Sequence, residues 1–292
     1  MSTTISRRRH LIPLGKAAWG RRLQSAAIYG LLTLCALLFL FPIYWLVLSS
    51  FKMIVEMFQI PPTWWPREGT LDNYRDAFAG RDFLRYMTNS VIVSISSTAV
   101  SMTLGVLAAY GIAKHPFRAS KSVLLGVLSL RMVPGIAMIV PLFLIASQLH
   151  LVDTLAGLIL AFIPFQIPLA VWLMHSFFLE IPDDLEDAGR IDGCSKMQAL
   201  VYIALPMSGP GLIVTGILVF VAAWNEFPLS LILTSENAKT MPVALAGLVA
   251  GWEILWGVLF AGAVVYMVPL LAISTLLQKH IARGFLGGAL KL

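Results

Sequence analysis

Six stretches of this sequence stay apolar for about twenty residues or more, which is the length of a membrane-crossing helix rather than of a buried element in a soluble core. They cover residues 26–50, 89–113, 122–148, 155–174, 209–233 and 255–277. At 1.5 Å per residue, each run as a helix spans a hydrocarbon core of about 30 Å. Composition agrees, since only 12% of the 292 residues are charged while 58% are hydrophobic. A soluble domain carries about a quarter charged residues. The fold class read from the chain is therefore an all-α polytopic membrane protein with six transmembrane helices. A basic segment at 1–25 precedes the membrane domain at 26–277, and a tail at 278–292 follows it. A signal peptide is the competing reading of the first run by position, but the run is too long and ends in Tyr44 and Trp45, which suit an interface.

Sidedness follows from Lys and Arg. With the N-terminus inside, the cytoplasmic segments hold fourteen of the 21 basic residues, the external ones hold six, and Arg131 is left within the third run. Basic residues concentrate on the cytoplasmic side, and acidic ones count little in the rule. Both termini are thus expected in the cytoplasm. The net charge of +6 is explained by loops lying against anionic membrane lipid. Nucleic-acid binding is excluded for want of a soluble basic domain to perform it. Cys35 and Cys194 form no disulfide or metal framework.

One polar island interrupts the apolar pattern on the cytoplasmic side, at residues 181–206. Its sequence predicts two short helices around a glycine turn. Asp183 is expected to cap the first, with Glu186 completing a capping box, and Gly193 to close it. Ser195 and Gln198 form a second box. Met197, Leu200, Val201, Ala204 and Leu205 are spaced as one apolar face, and Pro206 marks the exit. Such a projection from a membrane protein suits docking by a soluble partner.

No catalytic pattern accompanies it. The chain has no GxxxxGK[ST] phosphate loop, no HExxH, no GxSxG and no CxxC, and its five histidines are scattered, so neither catalytic nor metal residues are expected. Prolines at 134, 141, 164, 168, 228 and 269 fall within the runs. They fit either ordinary kinked packing or a bundle bent around a pathway. Arg131 stands about ten residues into the third run, or about 15 Å deep if helical. It either lines a pathway or holds two helices together, for example through Glu226. Asn225 and Glu226 lie towards the external end of the fifth run, and Trp252 and Trp256 suit the outer interface.

The island resembles the motif of importer-type ABC permeases: Glu-Ala-Ala, three residues, Gly, nine residues, Ile, any residue, Leu-Pro. Here Asp187-Ala188-Gly189 is followed at the same spacing by Gly193 and by Ile203-Ala204-Leu205-Pro206. Asp187 stands for the motif's Glu and Gly189 for its second Ala. Further stretches resemble the carbohydrate-uptake branch, in particular the second maltose-type permease: Leu151-Val152-Asp153-Thr154, Phe177–Pro182, Trp224-Asn225-Glu226-Phe227, Lys239-Thr240-Met241-Pro242 and Arg283–Lys291.

The resemblance implies a multi-pass permease of the bacterial inner membrane that forms one pathway with a second permease subunit. It implies a cytoplasmic ABC ATPase dimer carrying ATP and Mg, an extracytoplasmic solute-binding protein, a sugar substrate, and no cofactor on this chain. The residues it implies for ATPase coupling are Glu186, Asp187, Ala188, Gly189, Asp192, Gly193, Leu205 and Pro206. Candidate pathway residues are Arg131, Asn225 and Glu226. A permease for a non-sugar solute and a self-contained secondary transporter or channel are the competing readings. The second is disfavoured by the lack of an internal repeat.

Overall fold

The computed structural model describes residues 14–250 and 254–289, with side chains described over 24–250 and 254–275. The basic cluster Arg7–His10, the interface candidate Trp252 and the terminal Lys291 lie outside the described residues. Helix α1 (Leu14–Ser50) leads to two short helices, α2 (Ile54–Met57) and α3 (Asp72–Ala79), and then to the 32-residue α4 (Phe83–Lys114). Next come α5 (Ser120–Ser129), α6 (Ile139–Gln148) and α7 (Leu155–Leu179). The polar island forms α8 (Asp183–Ile191), α9 (Lys196–Ala199) and α10 (Leu205–Met207). The chain closes with α11 (Gly209–Trp224), α12 (Pro228–Leu233), α13 (Met241–Gly247) and α14 (Trp256–Ala289). Among the described residues there is no strand.

Among the described residues, four segments are single helices long and apolar enough to cross a membrane: Gln24–Ser50, Phe83–Lys114, Leu155–Leu179 and Trp256–Thr275. The second and third of these exceed the expected bounds, α4 by six residues at its start and α7 by five at its end, because residues 83–88 and 175–179, which mix polar and apolar side chains, continue the helix beyond the uninterrupted apolar run. Helix α14 likewise runs on into the expected tail.

The third and fifth runs, in which prolines are expected to kink or bend the chain, are broken helices. Ser120–Met132 and Gly135–Gln148 meet at 90°. The ring of Pro134 forces the preceding residue out of the helical region, and Val133 is extended at φ −71°, ψ 120°. In the fifth run α11 stops at Trp224 after 16 residues, about 24 Å of helix, and the chain restarts at Pro228. At its other end α11 makes an 84° bend with the Lys196–Met207 segment. Pro164 and Pro168, by contrast, sit within α7 without ending it.

Helices α4 and α7 run parallel and form the centre of the bundle. Ser90, Ser94, Ser97, Ser101 and Gly105 make one buried stripe along α4. Small residues let membrane helices approach closely. A Cβ on Gly105 would come within 2.5 Å of the Ala170 Cβ, and Ser97 Oγ accepts a 3.0 Å hydrogen bond from Gln166 Nε2. Helix α11 crosses both, with Gly211 beneath the Phe177 ring. Helix α14 joins it through Tyr266, which stacks on Trp224 at 5.1 Å. Helix α1 lies along α14 with most of its apolar surface exposed.

Candidate functional site

At the end of the bundle where α4 and α7 finish, residues 181–206 form a compact projection. Helix α8 ends in a closed turn: Gly193 N–H donates to Arg190 O and Cys194 N–H to Gly189 O, at 3.1 and 2.9 Å. This is the paired closure that needs a left-handed residue just past the helix, and Gly193 supplies it at φ 92°. The Ser195–Gln198 capping box then starts α9 with both of its hydrogen bonds made.

The first capping box does not form. Pro182 occupies the cap position and Asp183 is already helical. The Asp183 carboxylate instead meets Lys114 Nζ at 2.7 Å, and that amine also donates to Ile181 O. The Glu186 carboxylate turns inward, where its Oε2 accepts from Tyr110 O–H at 3.0 Å. Glu186 is only 6% exposed. Gly189 is buried as well, and a Cβ there would lie 2.5 Å from Ile203 Cδ1. Its smallness therefore serves packing between the two halves of the projection.

The expected single apolar face of the second helix is also corrected. Leu200 to Ala204 is a π-helical turn, whose wider i→i+5 pitch rotates the following residues. Leu200 and Ala204 point into the bundle, Leu205 is half-buried, and Met197 and Val201 face out. The outer surface thus combines Leu185, Ile191, Met197, Val201 and Tyr202 with the exposed Asp187, Ala188, Asp192 and Pro206. Asp187 makes only a 3.8 Å exposed pair with Arg190, an interaction of about 0–1 kcal/mol at most. Ile191, 87% exposed, and Tyr202, 70% exposed, escaped sequence reading. For Ile191 the signal was its i+4 spacing from Asp187, opposite the inward Glu186 and Gly189.

A second feature lies where two membrane helices break. A cavity of about 280 Å³ is bounded by Gly135 and Ile136 after the α5 elbow, Phe162, Phe165 and Gln166 of α7, and Ala222, Ala223 and Glu226 beside the α11 break. The Glu226 carboxylate caps α12, accepting from Leu229 and Ser230 N–H at 3.0 and 3.1 Å. It is therefore not paired with Arg131. Arg131 is exposed in the last turn before the elbow and makes no ion pair among the described residues. Asn225 is exposed and donates to Val221 O at 2.9 Å. The structure brings Glu226 to the cavity and leaves Arg131 and Asn225 off its lining.

At the opposite end of the bundle from the projection, Asp153 (φ 58°) gathers the loop after α12. Its carboxylate accepts from the backbone N–H groups of Ser235, Glu236, Asn237 and Ala238 and from Asn237 Nδ2. Burial alone would raise its pKa, but these donors, Asn237 foremost, hold it well below the usual carboxylate range. Asn89 of α4 donates to Asn237 O and Lys239 O, tying that loop to the second span.

The sequence family described as binding-protein-dependent transport system inner membrane component matches residues 101–287, taking in the α4 C-terminal half, the projection and both broken helices. The chain belongs to that family. It is accordingly a multi-pass membrane protein. Among its relatives are the trehalose transport system permease protein SugB of Mycobacterium tuberculosis, 36% identical over 86% of this chain and 92% of that protein. The trehalose/maltose transport system permease protein MalG of Thermococcus litoralis is 35% identical over 88% and 94%. The sulfoquinovosyl glycerol transport system permease protein SmoH of Agrobacterium fabrum is 35% identical over 86% and 89%. A chain in the crystal structure of a bacterial ABC transporter that imports the acidic polysaccharide alginate shares the fold. It has a TM-score of 0.73 and 21% identity, with 95% of this chain and 99% of that one covered.

Proposed function

We propose that this chain is the membrane-spanning permease subunit of an ATP-driven sugar importer in a bacterial inner membrane. It forms the translocation pathway with a second permease subunit and couples to a cytoplasmic ABC ATPase dimer through residues 181–206. The observation that carries the substrate class is its likeness, over nearly nine-tenths of its length, to permeases named for trehalose and maltose transport. The count of basic residues supports cytoplasmic termini and a cytoplasmic projection. The Asp153 end then faces the extracytoplasmic solute-binding protein. ATP and Mg belong to the ATPase, and this chain carries no cofactor.

The exposed apolar knob of Leu185, Ile191, Met197, Val201 and Tyr202, rimmed by Asp187 and Asp192, suits an apolar cleft with a basic edge. Closure of the ATPase dimer moves that knob, and the bundle follows as a rigid body. Asp187, Ala188, Asp192, Gly193 and Pro206 belong to the docking surface or its turn, while Glu186, Gly189 and Leu205 support it from within. Glu226 at the cavity, with Arg131 and Asn225 nearby in sequence to the two breaks, borders the pathway. Non-helical backbone at membrane depth is tolerated where it lines such a cavity.

The test is uptake of labelled trehalose into vesicles holding this chain with its partner ATPase, second permease and binding protein. ATP-dependent uptake, lost in Asp187→Lys while the protein still inserts, is the expected result. Uptake by this chain alone, driven by an ion gradient without ATP, would overturn the reading in favour of a self-contained transporter.

A further inference from the structure

The projection is joined covalently to α7 and α11, yet its strongest side-chain attachments run to α4. Tyr110 and Lys114 stand one turn apart on the last stretch of α4. Tyr110 O–H reaches Glu186 Oε2 of α8 at 3.0 Å and the Lys196 carbonyl of α9 at 3.5 Å, so it touches both halves of the projection. Lys114 Nζ, with a side chain only 3% exposed, holds the projection at its root through Ile181 O and Asp183. The Tyr110 ring is itself fixed edge-on against Phe178 of α7 at 5.5 Å.

The packing around these groups leaves little play. Tyr110, Phe178, Ile181, Leu200 and Ala204 share one buried cluster. Further along α4, the Ser97–Gln166 hydrogen bond and the close approach at Gly105 lock that helix to α7. A displacement of the projection therefore enters α4 sideways, through two donors, as well as along the chain.

We infer that Tyr110 and Lys114 are positioning residues, a strut that fixes the 181–206 projection to α4 so that its movement is delivered to the second membrane span. This deepens the coupling role proposed above and rests on it for its meaning in transport. Removing the strut lets the projection swing on its two covalent connections, so that docking persists while the stroke is absorbed locally.

The experiment uses the native Cys194, which sits beside the Gly193 turn, as the only label site in a Cys35→Ser background. A nitroxide there reports motion of the projection in the full-length chain. The variants are Tyr110→Phe and Glu186→Leu, each losing the hydrogen bond, and Lys114→Met, losing the root contacts. Glu186→Gln keeps an oxygen to accept from Tyr110. Expected results are a more mobile label in the first three, with mobility restored in Glu186→Gln. In the assembled transporter, the same three should retain co-purified ATPase but transport less sugar per ATP hydrolysed by about tenfold or more, a ratio matching loss of a hydrogen bond to a charged group. Unchanged label mobility in Tyr110→Phe and Lys114→Met would overturn the strut. So would raised mobility with undiminished transport per ATP. Failure of the wild-type chain to retain any ATPase would instead overturn the docking reading, and the label measurement would still decide the strut by itself.

Discussion

Replacing Gly189 by alanine restores the family pattern and should nevertheless loosen the projection. In isolation the change favours a helix by about 1 kcal/mol. In this fold the new Cβ comes 2.5 Å from Ile203 Cδ1, against the 3.5–4.0 Å of ordinary carbon contact (about 0.1–0.2 kcal/mol per pair). Accommodating it means displacing the half-buried Ile203 side chain by about 1 Å or more, at a cost of about 1–3 kcal/mol. The net expectation is a loss of about 1 kcal/mol. Ile203→Val deletes the offending methyl and by itself costs about 1 kcal/mol. Combined, the clash disappears, the helix gain remains, and the double variant should sit near wild type. The pair should thus show a favourable interaction of about 2 kcal/mol, or about thirtyfold in local opening. Amide exchange across residues 183–191 of the full-length protein in lipid nanodiscs measures it directly. Exchange slowed about fivefold in Gly189→Ala alone would refute the reasoning, because Ile203 would then impose no limit. The small residue would have to serve close approach by the partner instead.

Three further outcomes follow from described contacts. Asp153→Asn should raise amide exchange in residues 235–238 about tenfold or more, as expected on weakening several hydrogen bonds to a charged acceptor. Because the folded carboxyl titrates well below its unfolded value of about 3.9, its contribution is present above that value and is lost only as pH falls below it. Protection of that loop, corrected for intrinsic rates, should stay constant from pH 8 to 5, and a loss within that window would refute the clamp. Gly105→Val should lower the Tm by forcing α4 from α7, at a cost of about 1–3 kcal/mol or more, while Gly105→Ala with Ala170→Gly should recover most of it. A wild-type Tm in Gly105→Val would contradict the close approach. Arg131→Leu should leave the Tm unchanged and shift competition in uptake assays away from anionic sugars towards neutral ones. A large drop in Tm would instead mean that Arg131 holds helices together.

What the sequence made legible was whatever local chemistry decides. Apolar length marked the membrane segments, and Gly193 announced its turn because only a left-handed residue closes α8 in that way. Pro134 was visible as a perturbation, but a 90° elbow depends on what the freed backbone packs against. The Asp183 box fails because the helix starts one residue early, with Pro182 at the cap, and because Lys114, far away in sequence, takes the carboxylate. The serine stripe of α4 was hidden by the environment itself. In water, polarity marks the outside of a helix, whereas in lipid the small and polar residues mark the inside. Glu226 was picked out as polar within an apolar run, but its capping of α12 could be seen only once the helix was known to break there.

The Asp153 clamp recognises mostly main chain. Of the residues it gathers, Asn237 contributes a side-chain donor and Ala238 is buried, but Ser235 and Glu236 give only their N–H groups and leave their side chains exposed at the tip. Shape and surface chemistry are thereby separated within a single loop. Substitutions at those two positions change the chemistry exposed at the tip while the curve of the backbone stays as Asp153 sets it. The loop is a fixed mount with an interchangeable face, and a change of surface at that end needs no rebuilding of the bundle beneath it.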